Sequence, residues 1–225
     1  MNTKFLCIDS DIFAILAAAK RLERVIDLLN FKMDEVRRLP ALDHMLRHPK
    51  SFSEFSLQQK QVALEMALKI KPLEESPNNS ENRQKLVKIN IDAGEQVLYA
   101  LVAEQPMTWL ASGDIKSMKA LADPDLCEIK KMISSRIVCF EASIYLLIKM
   151  DGYRSTADAF SSMRQKNAKV RSIFPEKEPL EANQMDGIVS YLRSLCSELG
   201  RGFLFCPPCP KSHEGDCNLS EPPPF

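Results

Sequence analysis

The sequence predicts an α/β fold, a central parallel sheet flanked by helices in three layers, followed by a helical extension and a short Cys/Pro-rich tail. Three observations carry that expectation. Two short apolar runs, Phe5-Leu6-Cys7-Ile8 and Met107-Thr108-Trp109-Leu110-Ala111, read as buried strands. Segments with helical periodicity lie between and beyond them. Each run leads into an acid, Asp9 after the first and Asp114 after the second, at the strand edge where open α/β sheets bind ligands.

The remaining elements follow in chain order. Apolar residues recur at helical spacing from Ile12 through Ile15, Leu16, Ala19, Leu22, Val25 and Ile26 to Leu29, with Lys20, Arg21, Glu23, Arg24 and Asp27 opposite, which predicts one long amphipathic helix. Val36-Arg37-Arg38-Leu39-Pro40 predicts a short strand that turns into a helix at the proline. Leu57 to Ile70 predicts another helix through Leu57, Val62, Leu64, Met66, Leu68 and Ile70. The polar, prolyl segment Pro72 to Arg83 reads as a surface loop. A turn at Asp92-Ala93-Gly94 opens a helix that buries Val97, Leu98, Leu101 and Val102. Ser134 to Met150 begins as a strand and continues as an apolar helix, and Gln184 to Leu199 is amphipathic through Met185, Ile188, Leu192 and Leu195. The expected organisation is a domain over residues 1–150, a helical extension over 151–200 packed on it, and a tail over 201–225.

A chain of 225 residues with 45% hydrophobic content suffices for one full core and a small appendage. Thirty Lys and Arg balance thirty Asp and Glu, so contact with nucleic acid depends on local basic patches. The clearest patch is Arg154, Arg164, Lys166, Lys169 and Arg171, opposed only by Asp158; it either tracks a phosphate backbone or is a solvated helical face. The N-terminal apolar run is too short for a signal peptide, and no stretch approaches the roughly 18 apolar residues of a membrane span. A cytoplasmic protein with no membrane contact is expected. Cys7, Cys127, Cys139 and Cys196, four of seven cysteines, stand in apolar contexts that suit reduced thiols.

The acids form the chemically informative pattern. Asp92 and Glu95, three apart, share one side of a helical first turn. Asp9-Ser10-Asp11 and Ser112-Gly113-Asp114 each deliver carboxylates from a strand end. Gathered at one sheet edge, they would supply oxygen donors for one or two hard cations. Taken alone, Asp9 or Asp114 could each be a helix N-cap, and Asp92-Ala93-Gly94-Glu95 could be a helix start with acids favourably near its dipole.

In order and spacing these three motifs resemble those of PIN-like (PilT N-terminal) nuclease domains: D-x-[ND] after the first strand, D-x-G-E at a helix start, and [ST]-G-D after a later strand. The resemblance covers about residues 4 to 150. It implies Mg2+ or Mn2+ held by Asp9, Asp92, Glu95 and Asp114. Asp11 would orient a ligand or water from outside that set, Ser112 would hydrogen-bond a carboxylate or phosphate, and Lys116 would meet a backbone phosphate. The family usually supplies another acid after the second strand; Asp43, Glu54 and Glu65 are available, and Asp43 follows the strand most closely. The implied function is a divalent-metal-dependent ribonuclease leaving a 5′-phosphate, toxin-like, with RNA as substrate and an inhibitory protein as partner. A catalytically inactive nucleic-acid-binding module and a protein-interaction module are the alternatives. Apolar surplus in the outer helices adds a homodimer to the expected partners.

Two further ligand patterns stand apart. His44 and His48, four apart, read as solvated or packed side chains in preference to ligands. In the tail, Cys206, Cys209, His213 and Cys217 follow C-x2-C-x3-H-x3-C, four donors that suit a structural Zn2+ or simply fall together in a disordered end.

Overall fold

The computed structural model describes residues 4–74, 80–89, 91–175, 181–200 and 202–205. In chain order these form β1 (Phe5–Ile8), α1 (Ser10–Ala18), α2 (Leu22–Leu28), β2 (Val36–Arg38), α3 (Leu42–Arg47), α4 (Leu57–Lys69), α5 (Glu81–Val87) and α6 (Ala93–Glu104). They continue as β3 (Thr108–Ser112), α7 (Ile115–Ala120), α8 (Cys127–Ile133), β4 (Ile137–Cys139), α9 (Phe140–Asp151), α10 (Tyr153–Phe160), α11 (Ala168–Ile173) and α12 (Glu181–Leu199).

The strands form one all-parallel sheet in the order β2-β1-β3-β4, flanked by helices. Parallel strands covered on both faces must be apolar throughout, and Leu6, Cys7, Ile8, Leu110, Ala111, Ile137, Val138 and Cys139 are all buried. α1 and α6 both pack on β3; α4 covers α1, while α5 and α8 pack on α6. The order makes β1 and β3 neighbours, with the chain leaving β1 toward β2 on one side and returning through β3 to β4 on the other. The crevice above the carboxyl ends of β1 and β3 is therefore the topological switch point.

Each sheet edge is met by a brief backbone pairing. Leu73 donates its N–H to the Arg38 carbonyl at 2.8 Å beside β2, and Phe205 donates to the Ile137 carbonyl at 2.8 Å beside β4. These short caps remove the open ladder that invites aggregation. Phe203 and Leu204 are buried there, so the start of the expected tail joins the core. Tyr153, Phe160 and Phe174 from the expected extension belong to the same core cluster, with Phe160 and Phe174 stacked at 5.5 Å.

Three sequence expectations are corrected. The single helix from Ile12 to Leu29 is two helices, because Lys20 adopts φ 55, the left-handed conformation that ends α1. Every residue from Ile12 to Ala17 is buried, so α1 is a helix enclosed on all sides, while α2 buries Leu22, Val25 and Ile26. A straight helix would have carried that second stripe away from the core. In α4 the buried residues are Lys60, Ala63 and Ala67, whereas Leu57 is 87% exposed and Leu68 is 60% exposed. Alanines on the buried face permit close approach to α1, and leucines would hold the two helices apart. The loop expected from Pro72 to Arg83 ends at Ser80, which caps α5 by accepting the Arg83 N–H at 3.2 Å; residues 75–79 lie outside those described.

Two arginines fix the frame around the sheet. Arg136 Nη1 donates to the carbonyls of Val102, Gln105 and Thr108, each at 2.8 Å, and thereby joins the end of α6 to the start of β3. Arg38, buried at the end of β2, donates to the Ala67 carbonyl at 2.8 Å, which satisfies the last turn of α4.

Candidate metal centre

Register places the acids. Ile8 pairs with Ala111, and Ser112 pairs with Cys139, so Asp9, Ser112 and Cys139 stand level at the ends of three adjacent strands. The Asp9 N–H donates to the Ala111 carbonyl at 2.9 Å and locks that level. Asp11, Asp114 and Glu141 each lie two residues beyond it. α6 brings Asp92 and Glu95 to the same edge, where they act electrostatically on Asp9 and on each other.

The two glycines in the motifs permit close approach. A Cβ on Gly94 would lie 3.0 Å from Leu39 Cδ1 and 3.3 Å from Asp92 Oδ1. On Gly113 it would lie 3.1 Å from Lys169 Nζ and 3.2 Å from Ile12 Cγ1. Glycine at 113 thus leaves room for a lysine ammonium from α11 to reach the acids.

The carboxylates pay an electrostatic penalty for their neighbourhood. Burial, then the charges of Asp11 and Asp92, push Asp9 up to about 7, against the lowering effects of the Ser10 N–H and Lys169. Glu95, 6% exposed, is also pushed up to about 7, first by burial and next by Asp114, with Asp92 and Asp9 adding to it. Beneath them Tyr99, one turn after Glu95, meets the Ser117 hydroxyl at 2.8 Å. Ser117 Oγ donates to the Asp114 carbonyl at 2.9 Å, and a hydrogen bond from its side chain partly offsets the rise at Glu95.

Each aspartate also caps its helix. Asp9 Oδ1 accepts from the Ser10 N–H at 2.7 Å, Asp92 Oδ1 from Glu95 at 2.9 Å, and Asp114 Oδ1 from Lys116 at 2.7 Å and Ser117 at 3.0 Å. Among the described residues, no three His, Cys, Asp or Glu side chains converge in a metal-holding arrangement as they stand. The four acids are electrostatic neighbours with one oxygen of each aspartate committed to a backbone N–H.

The other expected site residues sit as follows. Asp11 Oδ2 pairs with Lys169 Nζ at 3.3 Å. Ser112 Oγ accepts the Asp114 N–H at 3.3 Å and steadies the turn. Lys116 is exposed at the start of α7. Asp43 is engaged by Arg38 at 3.1 Å. His44 and His48 rings lie 6.2 Å apart, and His48 Nδ1 accepts the Lys50 N–H at 3.3 Å. Cys206, Cys209, His213 and Cys217, the tail zinc pattern, lie outside the described residues.

Sequence reasoning missed three participants, Glu141, Tyr99 and Ser117, and named Lys169 only as part of a basic patch, without its place beside the acids. Glu141 lies beyond β4 at the level at which Asp11 lies beyond β1; burial raises its pKa, Lys169 opposes the rise, and its buried Oε2 has no hydrogen-bond partner among the described residues. The strand-then-acid pattern in Ile137-Val138-Cys139-Phe140-Glu141 was the available signal. Tyr99 was detectable as the i+4 neighbour of Glu95. Ser117 carried no local signal, and only tertiary packing brings it and Lys169 to the acids. No family model matches the chain, and no curated protein or solved structure matches it either. No described helix is long and apolar enough to cross a membrane.

Proposed function

We propose that the chain is a PIN-like, divalent-metal-dependent nuclease acting on RNA. The observation that supports this reading is electrostatic: at the switch point burial first, and then the charges of neighbouring acids that include Asp92 and Asp114, push Asp9 and Glu95 up to about 7, although no three of these side chains converge as they stand. Four hard oxygen donors that repel one another suit Mg2+ or Mn2+, whose charge would offset the repulsion. Those four residues would hold the ion, with Glu141 as the further acid in place of Asp43. Bound there, the cation would supply charge stabilisation for the phosphoryl oxygens and a more acidic water. The protein's own groups do the rest: Ser117, itself held by Tyr99, hydrogen-bonds the Glu95 carboxylate, and Lys169 presents a cation to the phosphate.

The test is cleavage of a mixed RNA pool with Mn2+ or Mg2+ and with chelator. Metal-dependent cleavage that Asp9→Asn and Asp114→Asn abolish, with circular dichroism unchanged, supports the reading; cleavage untouched by both substitutions rejects it. The Lys169–Asp11 pair favours one alternative, a module that binds nucleic acid without turnover, because a lysine already supplies positive charge to the acids. Metal-independent RNA binding with no product would establish that alternative.

A further inference from the structure

A cavity of about 200 Å³ opens beside the acids, between the start of α1, the loop preceding α4 and the start of α11. It shares Asp11 and Lys169 with the candidate metal centre, so whatever enters it lies next to the acidic edge. Drug-sized ligands fill roughly 300–1,000 Å³, so this space suits a single ring system.

The loop is built to display an aromatic ring. Phe52 adopts φ 50, a conformation that bulky side chains rarely take and that persists only where surroundings impose it. Those surroundings are on hand. The Lys60 ammonium, on a buried residue, donates to the carbonyls of His48, Pro49 and Ser51, and the Phe55 N–H donates to the Phe52 carbonyl at 3.0 Å. Buried Phe55 stands 5.7 Å from the Phe52 ring and backs it, leaving Phe52 partly exposed along the cavity. Across the space, Asn167 is fixed by accepting the Val170 N–H at 3.1 Å, and Lys169 follows it.

We infer that this cavity seats one unstacked nucleobase of a single-stranded nucleic acid, on Phe52, while Lys169 holds the adjoining phosphate beside the acids. This deepens the nuclease reading and rests on it. An aromatic ring next to a lysine is the minimal platform for a base and its phosphate, because stacking is open to any base and the ammonium neutralises the backbone. The other charged groups lining the space, Glu54 and Asp11, are acceptors only. They repel phosphate and accept from exocyclic amines, which gives the pocket a preference for adenine and cytosine over uracil. A duplex, whose bases are already stacked, is excluded.

The experiment measures anisotropy of short fluorescein-labelled, cleavage-resistant phosphorothioate strands, as oligo(A), oligo(C) and oligo(U) in RNA and DNA forms and as a duplex, with the full chain in Mg2+. Calorimetric Mn2+ binding is measured for every variant. Phe52→Leu is expected to weaken single-strand binding about 5- to 150-fold, while Phe52→Trp restores it. Lys169→Met is expected to weaken all strands alike and to lower the salt slope by about 0.7. Glu54→Gln is expected to erase a severalfold preference for oligo(A) and oligo(C) over oligo(U). The RNA and DNA arms show which backbone is accepted. Strand binding unchanged in Phe52→Leu, or duplex bound as tightly as single strands, overturns the pocket assignment, as does a chain that binds none of the strands. Absent Mn2+ binding with intact, Phe52-dependent strand binding overturns the metal reading alone.

Discussion

Replacing Asp9 with Asn should stabilise the metal-free protein at high pH and leave it nearly unchanged in acid. The Asp9 carboxyl is raised from 3.8 to about 7 on folding, mainly by burial and by Asp11. Between those values the folded state holds a proton that the unfolded state has released, so stability falls as pH climbs from about 4 to about 7 and the penalty is complete above that. Three units correspond to about 4 kcal/mol at roughly 1.36 kcal/mol per unit. Asp9 keeps part of its surface in water, and screening reduces the usable figure to about 2 kcal/mol. Asn removes the charge yet keeps the cap, since its side-chain oxygen can still accept from the Ser10 N–H and Asn caps as well as Asp. Urea unfolding in chelator should therefore show a stabilisation well under 1 kcal/mol at pH 3 and about 2 kcal/mol at pH 8. The latter is a melting-point rise of about 4–8 °C for a chain of this size. A difference that does not vary with pH, or a variant less stable than wild type at pH 8, would refute the claim that crowding and burial penalise the ionised acid.

Three further predictions test other links. Mg2+ at a hundred times its Kd should raise wild-type stability by about 2.7 kcal/mol at pH 8, with the effect fading below about pH 7 as Asp9 and Glu95 take up protons; an equal gain in Asp9→Asn by differential scanning fluorimetry would place the cation elsewhere. Arg136→Leu should cost about 3 kcal/mol in chemical unfolding, because three carbonyls at the α6–β3 junction lose their shared donor; a loss under about 0.5 kcal/mol would assign no structural weight to that junction. Gly113→Ala should destabilise by about 1–2 kcal/mol through the contact with Ile12 and should displace Lys169. With the ammonium withdrawn, the Asp9 carboxyl titrates higher still, which carboxyl-carbon NMR would read; an unmoved titration would mean that the lysine does not act on Asp9.

The chain itself determined the parallel strands, since Leu6-Cys7-Ile8 and Leu110-Ala111 are apolar without alternation, a pattern that only burial on both faces rewards. It also determined which acids stand at strand ends and helix starts, because Asp9, Asp92 and Asp114 each precede a run of helical periodicity and cap it. Only the tertiary structure decided the break at Lys20, where two apolar stripes had to meet one core. The buried face of α4 was likewise set by its neighbours, because alanines and leucines look equally apolar until close approach makes size matter. The same holds at the site. Lys169 lies 158 residues from Asp11 and belongs in sequence to a basic helical stretch, yet the two groups end 3.3 Å apart. Periodicity reports which side of an element turns inward. The partner met there is fixed by packing among elements distant in the chain, and Lys169, Ser117 and the Phe52 cavity owe their positions to that packing.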